Sequence, residues 1–148
     1  MIVDSLIAHG FRVENDIILA CNGIGLVNLL RAGKEWLENH IAVVNGLNVF
    51  PVPDGDTGTN MLLTMRSAVD TAEKTTGHHV GPIALAAAHG ALMGARGNSG
   101  VILSQFVQGL ADGLRDEESC TTSAFARAAH LGADLAYQSV MEPVEGTI

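Results

Sequence analysis

Cysteine is nearly absent from this 148-residue chain, which carries two. Cys21 and Cys120 stand alone, with no CxxC and no His nearby at ligand spacing. Neither a zinc site nor a disulfide framework is indicated, and a reducing, cytoplasmic setting fits best. Cations are scarce too: Lys and Arg total 8 against 16 Asp and Glu, a net charge of -8. Binding a phosphate backbone takes clustered Lys and Arg, so nucleic acid is excluded as a partner. No apolar run approaches the roughly 18 residues of a membrane span. Met1-Ile2-Val3-Asp4 lacks the basic start and apolar stretch of a signal peptide, so membrane insertion and secretion drop out.

What the chain does have is apolar content, 47% hydrophobic residues, and 17 glycines. A chain of this size buries roughly 68–70% of its unfolded surface, enough for one domain with its own core.

Residues 1–23 resist assignment. Ile17, Ile18 and Leu19 suit a short strand or helix, and Asn22-Gly23 reads as a turn that closes it. From Leu26 to about Val44 the pattern is helical: Leu26, Leu29, Leu30, Leu37, Ile41 and Val44 recur at helical spacings, with Arg31, Lys34, Glu35 and Glu38 between them. Residues 45–58 hold two prolines and three glycines, which predict a constrained loop. A second helix is expected from about Thr59 to Thr75, with Met61, Leu62, Met65, Val69 and Ala72 inward, and a third, Ala-rich, from Ile83 to Met93 with Pro82 in its first turn. Gly94-Ala-Arg-Gly-Asn-Ser-Gly100 breaks it. A fourth opens at about Ser99 and runs to Leu114, and a fifth spans roughly Thr122 to Val140, stopped by Pro143. Its small-residue face, including Ala124, Ala128 and Ala136, implies close helix packing. Five helices and no convincing strand pair give an all-α fold.

The chemistry concentrates in two loops. Asp54-Gly55-Asp56 sets two carboxylates one residue apart at a loop-to-helix junction, a candidate for a hard cation such as Mg²⁺, and Asn48 could add an amide oxygen. The plainer alternative is a turn with a helix-capping Asp, which for a bare Asp-Gly-Asp is the commoner case. The balance shifts with Thr57-Gly58-Thr59-Asn60-Met61, which leads straight into a helix N-terminus, where exposed N–H groups and the positive dipole end favour phosphate. Arg96-Gly97-Asn98-Ser99-Gly100 is a second such junction with its own cation, although alone it reads equally well as a glycine hinge. Two glycine-lined anion sockets and a carboxylate pair match the needs of phosphoryl transfer from a Mg-nucleotide.

Competing motifs fail. Gly33-Lys34 has Asn28 and Glu35 where a Walker A loop needs Gly and Ser/Thr. An EF-hand started at Asp54 would need a Glu where Met65 stands. Asp56-Thr57-Gly58 lacks the strand setting and second loop of an aspartic protease, and no oriented His–Asp pair serves Ser99 as a nucleophile. The adjacent His78 and His79 read as solvated, and His89 and His130 as packing residues within helices.

The stretches Asn48–Met61 and Gly94–Gln105 together resemble the nucleotide-binding domain of the dihydroxyacetone kinase superfamily, most closely the N-terminal ATP-binding domain of bacterial fatty acid kinases. The likeness covers roughly residues 26–148, and the terminal Glu142–Ile148 is similar to the family's lead into a further helix. It implies an antiparallel helical barrel that binds ATP at one end, with two Mg²⁺ ions bridging its phosphates to acidic loop residues. By that resemblance Asp54 and Asp56 are metal ligands, with Asn48 matching a third family carboxylate at a one-residue change in spacing. Thr57 and Asn60 fall at nucleotide contacts within Thr57–Met61, and Gly97, Asn98, Ser99 and Gly100, with Arg96 beside them, match the second phosphate loop. The acceptor would come from a partner: a fatty-acid-binding protein in the closer branch, a dihydroxyacetone-binding subunit in the other. No acyl pocket is visible in the sequence. Residues 1–23 would be an N-terminal extension and 24–148 a partial ATP-binding domain, incomplete at its C-terminus.

The expected function is Mg-ATP-dependent transfer to an acyl carboxylate, with no general base in this chain. The alternatives are glycerone kinase-type transfer to a hydroxyl and a non-catalytic nucleotide-binding or helical interaction module. Assembly as a homodimer stays open.

Overall fold

The computed structural model describes residues 2–49 and 53–141. Among them the elements are α1 (Ile2–Ala8), β1 (Phe11–Glu14), β2 (Ile17–Cys21), α2 (Gly23–Gly46), α3 (Thr57–Ala72), α4 (Val80–Gly94), α5 (Gly97–Leu114), β3 (Cys120–Thr121) and α6 (Thr122–Gln138). The helix-dominated class is as expected. Successive helices α2 to α6 pack on one another through short connections, the arrangement of an antiparallel bundle. None of the helices is long and apolar enough to cross a membrane.

Alanine builds the interior. Ala68, Ala72, Ala84, Ala87, Ala88, Ala91, Ala111, Ala124 and Ala128 are buried around Val80, Ile83 and Leu114. Small side chains let helix backbones approach, and the seam between α5 and α6 shows how closely. A Cβ built on Gly109 would lie 2.5 Å from the Cα of Gly132, and one on Gly113 would lie 2.7 Å from the Cα of Ala128. Burying Leu114, 1% exposed, contributes about 1.5–3 kcal/mol. The bundle also carries a half-open apolar pocket of ≈ 370 Å³ lined by residues such as Leu30, Met65, Phe106 and Phe125. Its walls come from helices far apart in the chain, so no local pattern announced it.

The N-terminal region corrects the expectation of no strand pair. Here β1 and β2 form an antiparallel hairpin, with Glu14 opposite Ile17, and β3 adds to the other side of β2. The two-residue turn is Asn15-Asp16, both left-handed at φ 50° and 63°, the conformation such a hairpin needs and Asn and Asp tolerate. Asn22 closes no turn. It caps α2, its side chain accepting from the Gly25 N–H at 3.1 Å, so that helix starts at Gly23 rather than near Leu26. Cys21 and Cys120 do not stand alone either: β3 sets them directly opposite each other. His89 and His130 lie on α4 and α6 as placed, but both are exposed rather than packed. The fifth predicted helix, α6, ends at Gln138, and the expected stop at Pro143 and the 142–148 stretch lie outside the described residues.

Alternating helix direction assigns the ends. The sheet, the N-termini of α2, α4 and α6 and the C-termini of α3 and α5 share one end, and the C-terminus of α2 with the N-termini of α3 and α5 share the other.

Candidate functional site

Both sequence motifs lie at this second end, and the structure joins them. The Ser99 hydroxyl donates to the Thr57 carbonyl at 3.4 Å. A Cβ on Gly97 would strike the Asn60 amide, and one on Gly100 would lie 2.5 Å from Thr64 Oγ1. Glycine at both positions is what lets the first turn of α5 lie against the first turns of α3. Gly97 is also left-handed, at φ 58°, where other residues are strained.

Asp54 and Asp56 are exposed on either side of Gly55, which turns the chain at φ 68°. Asp56 occupies the N-cap position of α3 yet makes no side-chain cap hydrogen bond. The capping alternative for this motif therefore fails, and its carboxylate is left to solvent or a ligand. Asn48 Nδ2 donates to Asp54 Oδ1 at 2.7 Å, so Asn48 orients that carboxylate.

The cap of α3 comes instead from Asn45, near the end of α2. Its Oδ1 accepts from the Gly58 N–H at 2.7 Å and the Thr59 N–H at 3.2 Å, and its Nδ2 donates to Thr59 Oγ1 at 3.1 Å. The Asn60 N–H already bonds within the chain, to the Asp56 carbonyl at 2.9 Å. The α3 N-terminus, expected to be an open anion socket, is largely closed by the protein itself.

The α5 N-terminus is the open one. Its N-cap residue Arg96 makes no side-chain cap bond, and the first N–H with a partner is that of Gly100, to the Arg96 carbonyl at 3.0 Å. Among the described residues nothing accepts from the N–H groups of Gly97, Asn98 or Ser99. Each of the other long helices has first-turn partners. In α4, Val80 and Gly81 donate to the Glu118 and Glu117 carbonyls, and Pro82 has no N–H; Asn22 and Thr121 cap α2 and α6. Three free N–H groups at a positive dipole end favour an anion. The exposed Arg96 stands at the same turn and its guanidinium makes no ion pair among the described residues, bonding only to the Ala95 carbonyl at 2.9 Å.

The predicted residues divide accordingly. Arg96, Gly97 and Asn98 are exposed at the open turn, and Asp54 and Asp56 at the loop that enters the adjoining helix. Ser99 is 7% exposed with its hydroxyl turned to Thr57, so it ties the loops together and offers an anion its N–H. Gly58 is buried, Thr59 exposed, and Asn60 and Met61 half-buried along α3. Asn45 and Thr64 escaped the sequence reading, because each acts on a residue of another element. No group of three or more His, Cys, Asp and Glu clusters among the described residues. Two carboxylates with an amide beside them suit Mg²⁺, which keeps few protein ligands and takes the rest from phosphate and water.

Residues 51–148 match the model of the DAK2 domain. An uncharacterised protein of Staphylococcus saprophyticus is 48% identical over 116 residues, which cover 78% of this chain and 21% of that protein. Protein YloV of Bacillus subtilis is 44% identical over 131 residues, 88% of this chain and 24% of YloV. An uncharacterised protein of Staphylococcus aureus is 42% identical over 132 residues, 89% of this chain and 24% of its own length. The chain thus spans about a fifth to a quarter of the length of these curated relatives.

Proposed function

The chain belongs to the DAK2 domain family, of the dihydroxyacetone kinase superfamily, and on that premise we propose that it is the Mg-ATP-binding part of a fatty acid kinase. The observation that carries this reading is the open first turn of α5, with Arg96 beside it, held against the helix that Asp54 and Asp56 lead into. The N–H groups of Gly97, Asn98 and Ser99 would bind phosphate oxygens, and Arg96 would add a charge-assisted contact. Asp54 and Asp56 would hold Mg²⁺, with Asn48 keeping the Asp54 carboxylate in position. Bound ATP would supply the transferable phosphoryl group, and Mg²⁺ the positive charge against its phosphates that this acidic chain lacks.

The protein's part in transfer is then positioning and neutralisation. No general base is assigned to this chain, which suits an acceptor that arrives as a carboxylate and has no proton to lose. That acceptor, an acyl carboxylate on a separate fatty-acid-binding protein, is the choice favoured by the likeness of the two loops to fatty acid kinases.

Calorimetry of Mg-ATP with the chain tests the reading. Binding is expected to need Mg²⁺, to fall at least about tenfold in Asp54→Ala and in Asp56→Ala, and to weaken by about tenfold in Arg96→Ala, a loss of ~1.4 kcal/mol. Absence of binding, or equal affinity in the Asp variants, would refute it. Label from γ-labelled ATP appearing on dihydroxyacetone and not on a protein-bound fatty acid would reassign the acceptor.

A further inference from the structure

The opposite end of the bundle brings the two thiols of the chain together. Cys21 is the last residue of β2 and Cys120 the first of β3, and they are direct partners in an antiparallel pair. Partners in such a pair stand with Cα atoms about 4.5–5.5 Å apart and side chains on the same face, inside the about 4.4–6.8 Å that a disulfide spans. Both are free thiols, each 5% exposed, and the Cys120 thiol donates to the Thr121 carbonyl at 3.7 Å. Their chain neighbours are both helix caps. Asn22 caps α2 through the Gly25 N–H, and Thr121 caps α6 through the Ala124 N–H at 3.1 Å.

We propose that Cys21 and Cys120 form a modification site, an intrachain disulfide made by hydrogen peroxide, which ties the start of α2 covalently to the start of α6. The attacking group is Cys120. The hydrogen bond from Cys21 lowers its thiol below the ordinary range, outweighing the opposing effects of burial and of the nearby Glu117 carboxylate, while the same bond and burial raise Cys21. The Cys120 thiolate attacks one peroxide oxygen, the O–O bond breaks, and the displaced hydroxide takes up a proton to leave as water, giving a sulfenic acid. Cys21 sulfur then attacks the Cys120 sulfur, the S–O bond breaks, and the Cys21 proton leaves with the hydroxide as a second water. Two thiols lose two electrons to one peroxide. Because the resolving thiol stands directly across the strand pair, the sulfenic acid is consumed before further oxidation.

Access comes from the element itself. β3 is two residues long, lies at the edge of the sheet, and follows a connection whose Arg115, Asp116 and Glu118 are exposed. Local opening of this segment, which releases the Glu117 and Glu118 carbonyls from α4 and leaves the helices in place, would admit a peroxide.

The test treats the purified chain with hydrogen peroxide, blocks residual thiols, and maps the digest by mass spectrometry without reduction. The expected product is a monomer in which the Cys21 and Cys120 peptides are linked, with both free thiols lost and restored by dithiothreitol. Because the bond closes a long loop, the oxidised chain should melt about 6–12 °C higher than the reduced one. In Cys21→Ser, a dimedone adduct should accumulate on Cys120, and in Cys120→Ser the remaining thiol should react more slowly. Thiols that survive peroxide sufficient to oxidise free glutathione, linkage only between chains, sulfinic acid without linkage, or a linked chain that melts no higher would each overturn the proposal.

Discussion

Replacing Asn45 by Ala removes one side chain from α2, yet the damage should appear at the start of α3. Asn45 Oδ1 accepts from two N–H groups, and one of them belongs to the buried Gly58. Loss of a cap costs about 1 kcal/mol. Leaving the Gly58 donor without a partner adds about 1 kcal/mol or more, whereas the exposed Thr59 donor finds water. Alanine returns roughly 0.5 kcal/mol through its better helix propensity. The net loss is about 1.5–2 kcal/mol. With a urea m-value of ~2 kcal/mol/M for a chain of this size, the unfolding midpoint should fall by ~0.8–1 M at constant m. Asn45→Asp keeps the acceptor and places negative charge at a helix N-terminus, so it should stay within ~0.5 kcal/mol of the parent. Urea unfolding followed by circular dichroism measures both. An Ala variant within ~0.5 kcal/mol of the parent, or an Asp variant as unstable as Ala, would refute the assignment of the cap to this side chain.

Two further substitutions separate the structural from the ligand-binding roles at the second loop. Gly97→Ala forces a side chain into the left-handed region and displaces the Asn60 amide; it should cost about 1–2 kcal/mol in urea unfolding and weaken Mg-ATP binding in calorimetry by about tenfold. Ser99→Ala should behave differently. Its hydroxyl faces the Thr57 carbonyl at a long 3.4 Å, so its removal should cost under ~1 kcal/mol and leave Mg-ATP affinity within about twofold, because the Ser99 N–H is retained. A large loss of affinity without a loss of stability would place that hydroxyl on the ligand instead.

The long helices were legible because apolar spacing reports burial. Leu62, Val69 and Ala72 are buried on α3 as their periodicity requires, and Ala128 of α6 lies against Gly113 of α5. The hairpin was not, because Ile17 and Ile18 are 61% and 42% exposed and give no alternation of buried and polar positions. Its readable signals were the alternation Phe11-Arg12-Val13-Glu14 in β1 and Asn15-Asp16, a pair able to take the left-handed turn. The pairing of Cys21 with Cys120 had no local trace, since it depends on where a two-residue strand settles after 98 intervening positions.

The two helix N-termini show where local reading stops. Thr57-Gly58-Thr59-Asn60 and Gly97-Asn98-Ser99-Gly100 have the same small, polar, glycine-bearing character, and sequence alone gives both an anion socket. What separates them is a side chain from a third element. Asn45 stands one helix away, and its amide occupies the N–H groups of α3 while nothing among the described residues reaches those of α5. On the proposed Mg-ATP reading the difference serves function as well as packing. Phosphate needs open N–H groups, whereas the helix behind Asp54 and Asp56 needs a fixed start, because a frayed first turn would let both carboxylates drift. On that reading a closed cap on α3 and an open turn on α5 serve one site, the first by fixing the loop proposed to hold metal and the second by leaving room for the proposed anion.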